Sequence, residues 1–144
     1  MNFKALFLMV TIALTFTNCT KDDPILTPTL TQVKMCNQID EGERLCDRDE
    51  PFFSASDQTF FVTATLKGAE ESDLVTFSWY GILPDGQMVL IDDISIRAGD
   101  FGSGSTFDLK SSLTRGNDPW PVGEYEVEIS LENGESVVKE FSVQ

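Results

Sequence analysis

Alternation of apolar and polar residues is the strongest pattern in the chain. In GEYEVEISL, residues 123–131, every second residue is apolar or aromatic: Tyr125, Val127, Ile129 and Leu131. Successive side chains of a β-strand point to opposite faces of the sheet, so this segment is predicted to be a strand with one buried face. From Pro51 onward no segment repeats apolar residues at a period of 3.6, so we expect no amphipathic α-helix there.

Five further segments show the same two-residue spacing. TFFVTATL, LVTFSWY and STFDLKS alternate well, QMVLIDDISIRA alternates poorly, and SVVKEFSV is interrupted by Lys139. In QMVLIDDISIRA we expect Ile94 and Ile96 to share a face. The other side chains predicted to face the core are Phe60, Val62, Ala64, Leu66, Val75, Phe77, Trp79, Phe107, Leu109, Val137, Phe141 and Val143.

Turn-forming residues separate these segments. Asn133-Gly134 lies between the last two and predicts a type I′ hairpin, in which both central residues have positive φ. Pro84-Asp85-Gly86 predicts another turn. Six or seven short strands, spaced about 10–15 residues apart, favour a single all-β domain, an antiparallel sandwich of about seven strands.

The N-terminal segment MNFKALFLMVTIALTFTNC combines Lys4 with an apolar run that ends shortly before Cys19. A membrane-spanning helix needs about 20 apolar residues, so this run has instead the length of the apolar part of a signal peptide. The segment resembles the signal peptides of bacterial lipoproteins, which close on a cysteine that is acylated and becomes the mature N-terminus. The resemblance implies a signal peptide over residues 1–18 and a palmitate-type membrane anchor on Cys19.

Lys21-Asp22-Asp23 follows Cys19 and is similar to the signal that sends some of these lipoproteins to the outer face of the outer membrane. We therefore expect an outer-membrane lipoprotein of the cell envelope, exposed at the surface. Several acyl chains hold a soluble domain stably at a bilayer, since each buried methylene contributes about 0.8 kcal/mol. The alternative is that Cys19 is an ordinary secreted or buried cysteine.

PILTPTLTQ, residues 24–32, contains two prolines and few large apolar groups and is typical of an extended tether. We assign residues 19–34 to the lipidated cysteine and its tether, and residues 35–144 to the sandwich domain. In the alternative interpretation, Ile25 and Leu30 dock onto the domain as a first edge strand.

Two cysteines, Cys36 and Cys46, remain in CNQIDEGERLC. An exported protein folds in an oxidising compartment, so a Cys36–Cys46 disulfide is predicted. A thiol nucleophile or a metal pair is the functional alternative, but zinc would require further cysteines or histidines. The acidic residues between Asp40 and Glu50 could bind calcium, yet they lack the EF-hand pattern, and we interpret them as a solvated loop.

Two aromatic positions indicate a more specific fold. Trp79 lies mid-strand, and WPVGEYEVEISL places a Pro- and Gly-containing corner before Tyr125. These features resemble immunoglobulin-like and fibronectin type III-like domains over residues 50–144. The resemblance implies that Trp79 is the core tryptophan of the third strand and that the Tyr125 hydroxyl bonds to backbone a few residues upstream. The cysteines that link the sheets of antibody domains are missing.

Trp120 and Phe101 are the candidate binding residues. Trp120 lies between Pro119 and Pro121 and could stack on a sugar ring or contact a protein partner, or it could instead cap the sandwich beneath Tyr125. Phe101 lies in GDFGSGSTF, which we interpret as a flexible inter-strand loop with Phe101 at its tip. No helix pattern follows its glycines, so a phosphate site is not expected.

The sequence is poorly equipped for catalysis or nucleic-acid binding. It contains no histidine, lacks an S-x-x-K motif and carries a formal net charge of −14 at pH 7. Asp92 and Asp93 are adjacent on a strand and so are expected to point to opposite faces, which excludes a carboxylate pair around one bond. We predict no catalytic residue, cofactor or metal site, and no nucleic-acid partner.

These observations predict a lipid-anchored, non-enzymatic module of the cell envelope that acts in binding or as a spacer. Its partner would be a glycan or a protein, contacted through loops and edge strands. The alternative is a structural subunit of an outer-membrane protein assembly, and a secreted enzyme or inhibitor is a third hypothesis.

Overall fold

The computed structural model describes residues 27–144, and both the predicted signal peptide and Cys19 lie outside this range. The described chain forms eight strands and one short 3-10 turn, Ala98–Phe101. Residues 27–144 contain no helix that is long and apolar enough to cross a membrane. The strands are β1 (Thr29–Cys36), β2 (Phe52–Phe53), β3 (Thr59–Lys67), β4 (Leu74–Ile82), β5 (Met88–Arg97), β6 (Thr106–Thr114), β7 (Gly123–Leu131) and β8 (Ser136–Val143).

The strands form two sheets of unequal width. The smaller sheet has the order β1-β3-β6 and the larger one the order β2-β8-β7-β4-β5. All neighbouring strands are antiparallel except β2, which pairs in parallel with β8. The predicted all-β antiparallel sandwich is confirmed. The additional strand is β2, whose two residues are too short to show alternation.

The alternating apolar rows form the core between the sheets. All predicted core residues of β3, β4, β6 and β7 are buried, and Trp79 is the largest side chain in the fully buried set. The Trp79 indole lies 3.4 Å from the Ser111 hydroxyl, which accepts its N–H. Ile94 differs from this pattern, because 45% of its side chain is exposed although it faces the same side as Phe77.

Aromatic rings fill one end of the core. Phe53 lies 4.8 Å from Phe60, and Phe141 packs edge-on against Phe53 at 5.5 Å. Phe141 also stacks on Tyr125 with 5.4 Å between the ring centres. Offset and edge-to-face arrangements of this kind stabilise a core beyond simple area burial. The two-residue strand β2 is thus held in place by the ring of Phe53 as well as by its pairing with β8.

The β4–β5 and β7–β8 hairpins share one turn geometry. Gly86 N–H donates to the Leu83 carbonyl at 2.8 Å, and Gly134 N–H donates to the Leu131 carbonyl at 3.0 Å. Both glycines have positive φ, 84° and 101°, but Asn133 does not. The predicted type I′ turn at Asn133-Gly134 is therefore wrong. This pattern is that of a turn closed by a single left-handed glycine, which is the longer hairpin form.

Strand β1 corrects the predicted tether. Residues 29–34 were assigned to the tether, but they pair with β3, and Leu30 is buried in the core. The alternative, in which Leu30 docks as an edge strand, is the arrangement observed; Ile25 lies outside the described residues. The apolar residues that secure β1 are widely spaced, because the strand is irregular around Gln32, whose φ is +53°.

The predicted disulfide between Cys36 and Cys46 is confirmed, with 5.8 Å between the two Cα atoms. It joins the end of β1 to the acidic loop, and the Cys46 N–H donates to the buried Thr63 hydroxyl at 3.0 Å. Lys139, which interrupts the alternation of β8, forms an ion pair with Asp49 of the same loop. Covalent and ionic contacts therefore hold this loop against both sheets.

Replacing Trp79 with alanine tests the core assignment. The substitution removes a fully buried indole, and we expect the free energy of unfolding to fall by about 3–5 kcal/mol. Denaturant unfolding followed by circular dichroism measures this change. Trp79→Phe, which keeps a ring in the site, should cost less. An Ala variant as stable as the wild type would contradict the described strand arrangement.

Candidate binding surface at the edge of the larger sheet

Of the two interpretations of Trp120, the structure shows the buried one. Trp120 is only 9% exposed and stacks on Phe60 with 4.7 Å between ring centres. Its indole N–H donates to the Asp57 carbonyl at 2.9 Å. Trp120 therefore caps the aromatic end of the core, as the alternative interpretation held, and no ring face is available for a ligand.

Arg115 fixes the loop that carries Trp120. Its guanidinium donates to the carbonyls of Ser56, Asp57 and Asp118 at 3.1–3.2 Å. Hydrogen bonds from a charged donor are stronger than neutral ones, so the β6–β7 loop is tied to the turn after β2. These hydrogen bonds could not be predicted from the sequence, because Arg115 is a single basic residue among polar neighbours.

Phe101 also differs from its prediction. It ends the 3-10 turn, and its half-buried ring packs against the core. Its carbonyl accepts a hydrogen bond from Arg44 at 3.1 Å. The segment after β5 thus begins as an ordered turn, and Phe101 is not a freely exposed tip. Within residues 27–144, no group of three or more His, Cys, Asp or Glu side chains is arranged to hold a metal ion.

Exposed apolar side chains concentrate instead on β5, at the edge of the larger sheet. Nine of its ten residues are exposed, and Ile96 is half-buried. Most soluble proteins keep large exposed apolar groups scattered, so a continuous row indicates a contact surface. The exposed large apolar residues of this strand are Met88, Val89, Leu90, Ile91 and Ile94, with exposed fractions of 43–51%.

A β-bulge shapes the row. Trp79 of β4 pairs with Asp92, whereas the next residue, Tyr80, pairs with Leu90, so Ile91 is the extra residue of β5. A bulge of this type turns two successive side chains towards similar directions. Ile91 accordingly reaches the core-facing side of the sheet, where its Cδ1 atom lies beside Gly81 of β4.

An apolar groove of about 280 Å³ continues this surface around the end of the sheet. Val89 and Ile91 form one wall, and Leu83, Pro121 and Val122 contribute to the others. Val122 is 73% exposed, the largest fraction among the exposed large apolar residues of the described chain. We name the row on β5 together with this groove the β5 edge surface.

The β6 edge of the smaller sheet provides an internal comparison. Its outward residues, apart from a half-buried Asp108, are exposed threonine, lysine and serine, and its apolar residues are buried. β6 therefore has the polar outer face that is typical of a solvated edge. β5 instead places apolar groups on both faces, Val89 and Ile94 on one and Met88 and Leu90 on the other.

The electrostatics of this part of the larger sheet are acidic. Strands β4, β5 and β7 contain two aspartates and three glutamates but a single basic residue, Arg97. Burial, followed by the negative charges of Glu140 and Glu128, raises the pKa of Glu126 above the ordinary value for glutamate. The outer face of the sheet thus holds carboxylates that repel one another and favour an approaching cation.

Tyr125 lines the groove and holds Pro121, another residue of its wall. Its hydroxyl donates to the Pro121 carbonyl at 2.6 Å, which confirms the predicted corner. Burial raises the pKa of the Tyr125 phenol above the ordinary value for tyrosine, which favours the protonated hydroxyl that donates this bond. The Pro121 carbonyl is thus held by Tyr125, and the preceding Trp120 side chain is buried. The next side chain, Val122, is exposed to solvent.

No protein-family model matches the sequence, and no curated protein matches it either. Solved structures with a similar fold include an immunoglobulin-like protein of Pseudomonas aeruginosa, with a TM-score of 0.48 and 15% identity. The described domain has an immunoglobulin-like fold. The match covers 81% of this chain and 92% of that protein, and the likeness concerns the fold alone.

Two further solved structures are similar to this chain. The CARDB domain of a Pyrococcus furiosus protein, in complex with di-metal ions, has a TM-score of 0.42 at 14% identity and covers 81% of this chain and 89% of its own. The alkylpurine DNA glycosylase AlkC of Pseudomonas fluorescens, bound to abasic DNA, has a TM-score of 0.47 at 12% identity. This chain is covered over 81% of its length and spans only 30% of the glycosylase.

The corner hydrogen bond is tested by Tyr125→Phe. The change removes only the hydroxyl, and we expect a loss of about 1 kcal/mol in the free energy of unfolding. Tyr80→Phe is the matched control, because the Tyr80 hydroxyl forms no hydrogen bond to another residue of the described chain. Chemical denaturation of both variants measures the difference. Equal stabilities for the two variants would show that the corner bond contributes nothing.

Proposed function

We propose that this chain is a lipid-anchored, non-enzymatic binding module of the cell envelope, displayed on the outer membrane. The β5 edge surface carries the proposal, because a module that served only as a spacer would have no use for an exposed apolar strand. The partner class is a protein or a glycan. Nucleic acid is a poor candidate, since the net charge of −14 repels phosphates.

The anchor forms the first half of the proposal. Cys19 closes an apolar segment of signal-peptide length, and PILTPTLTQ follows it. With β1 beginning at Thr29, the stretch between the lipid and the domain is about nine residues, from Thr20 to Pro28. Fully extended, such a stretch spans about 30 Å, enough to hold the domain clear of the lipid headgroups.

Metabolic labelling with a palmitate analogue tests the anchor. The wild-type chain should be labelled, and Cys19→Ala should lose the label and the association with membranes. A chain in which Cys36 and Cys46 are both replaced by alanine is the control, and it should keep the label because those cysteines form the disulfide. Equal labelling of the wild type and Cys19→Ala would rule out the lipoprotein hypothesis.

Site-specific crosslinking on intact cells tests the binding surface. A photoreactive amino acid at position 90, on β5, is compared with one at position 112, which is exposed on β6. We expect a discrete crosslinked species from position 90 and none from position 112. The same pattern of products from both positions, or none from either, would contradict a binding role for the β5 edge surface.

A further inference from the structure

The free side of β5 offers an unpaired strand edge. β5 is the last strand of the larger sheet and pairs only with β4, so the backbone groups on its other side have no strand partner within residues 27–144. An exposed edge of this length can accept an added strand, with affinity from backbone hydrogen bonds and specificity from alternate side chains.

We infer, building on the proposed binding function, that β5 receives an extended segment of a partner protein as the sixth strand of the larger sheet. The segment alternates apolar residues with lysine or arginine. Its chemistry follows from the two faces of β5, from the charges at the centre of the strand and from the adjoining groove.

An added strand that alternates apolar and basic residues has one apolar face, and that face matches the core-facing side of β5. On the core-facing side, a partner side chain would lie beside Val89, Ile91 or Ile94. On the outer side, the basic side chains would lie beside Asp93, with their methylene groups against Met88 and Leu90. Directly opposed apolar pairs on adjacent strands contribute roughly 0.2–1 kcal/mol each. Covering this row removes from water the exposed apolar groups that the smaller sheet leaves uncovered.

The groove gives the segment an anchoring point. Val89 and Ile91 belong both to the row and to the groove wall, so a side chain opposite them can enter the groove. Its volume of about 280 Å³ is sufficient for a leucine or phenylalanine side chain. Binding energy in protein interfaces concentrates on a few such anchored apolar groups.

Charge complementarity selects a basic partner. Asp92 and Asp93 occupy the middle of β5, are exposed, and form no salt bridge within the described chain. β4 contributes no charged side chain and β7 contributes only glutamates, so the nearest carboxylates all favour a cationic neighbour. Asp93 pairs with Ser78 on the outer face, so a lysine or arginine on the outer side of the added strand would lie directly beside it.

The same charges disfavour a second copy of this chain as the occupant. Two β5 strands aligned antiparallel over their whole length would bring Asp92 and Asp93 of both copies together at the centre of the new strand pair. Like charges directly opposite one another on adjacent strands are destabilising. Each copy also carries a net charge of −14, which opposes self-association.

A synthetic peptide provides the probe. We use a ten-residue peptide of alternating isoleucine and lysine, added to the full chain purified in detergent, and record amide chemical shifts and hydrogen exchange. Binding should shift the β5 amides and slow the exchange of those on its free side. A peptide with glutamate in place of lysine should bind at least about tenfold more weakly, and one N-methylated at alternate residues should not bind.

Charge and apolar variants locate the site on the domain. Asp93→Lys should weaken binding of the isoleucine–lysine peptide by about tenfold, and Glu140→Lys, an equal charge change three strands away, should leave it nearly unchanged. Ile94→Asp should abolish binding, because it places a charge against the apolar face of the peptide, whereas Val138→Asp, at a similarly exposed position of β8, should not. Circular dichroism confirms that each variant is folded.

Several outcomes would overturn the inference. These are no binding of the isoleucine–lysine peptide at millimolar concentration, equal binding of the N-methylated peptide, and shifts confined to strands other than β5. A dimer of the full chain that Ile94→Asp dissociates would assign the edge to a second copy, and a carbohydrate crosslinked at position 90 would assign it to a glycan. Crosslinking from position 90 without peptide binding would leave the proposed function standing and refute strand addition alone.

Discussion

The unequal width of the two sheets determines both the core and the candidate site. Sheets pack face to face about 10 Å apart, and each strand adds nearly 5 Å of width, so a three-stranded sheet leaves two strands' width of a five-stranded sheet uncovered. On one side the uncovered strand is the two-residue β2, and Phe53 still reaches the core. On the other side it is β5, ten residues long, whose core-facing side chains are exposed apart from the half-buried Ile96.

The aromatic end of the sandwich shows how core packing positions an exposed residue. Trp120 is held by Phe60 and by the Asp57 carbonyl, and Tyr125 holds the Pro121 carbonyl. These contacts fix the backbone at Trp120 and Pro121, near the end of the β6–β7 loop. Val122 follows them directly and faces solvent beside the groove. The buried residues therefore fix the position of this exposed wall of the β5 edge surface.

Sequence reasoning was most successful where burial is one-sided. Alternation identified β3, β4, β6 and β7 with their buried faces, and the aromatic pattern identified Trp79 and Tyr125. It was weakest where other forces decide the structure: a single ring and two paired residues hold β2, widely spaced contacts hold β1, and turn geometry determines the hairpin glycines. The irregular alternation of QMVLIDDISIRA was the available signal for β5, because a bulge and an uncovered face both remove the period of two.

The Cys36–Cys46 bridge also determines how the domain would respond to a mechanical pull from its N-terminal side. Tension entering at Thr27 would load β1 first, because that strand lies at an outer edge and pairs only with β3. Beyond Cys36 the load would pass through the bridge to Cys46, and the intervening loop would stay slack. Peeling would thus release about 30 Å of β1 and none of the loop's length, so the bond limits how far the module can be drawn out before its core must yield.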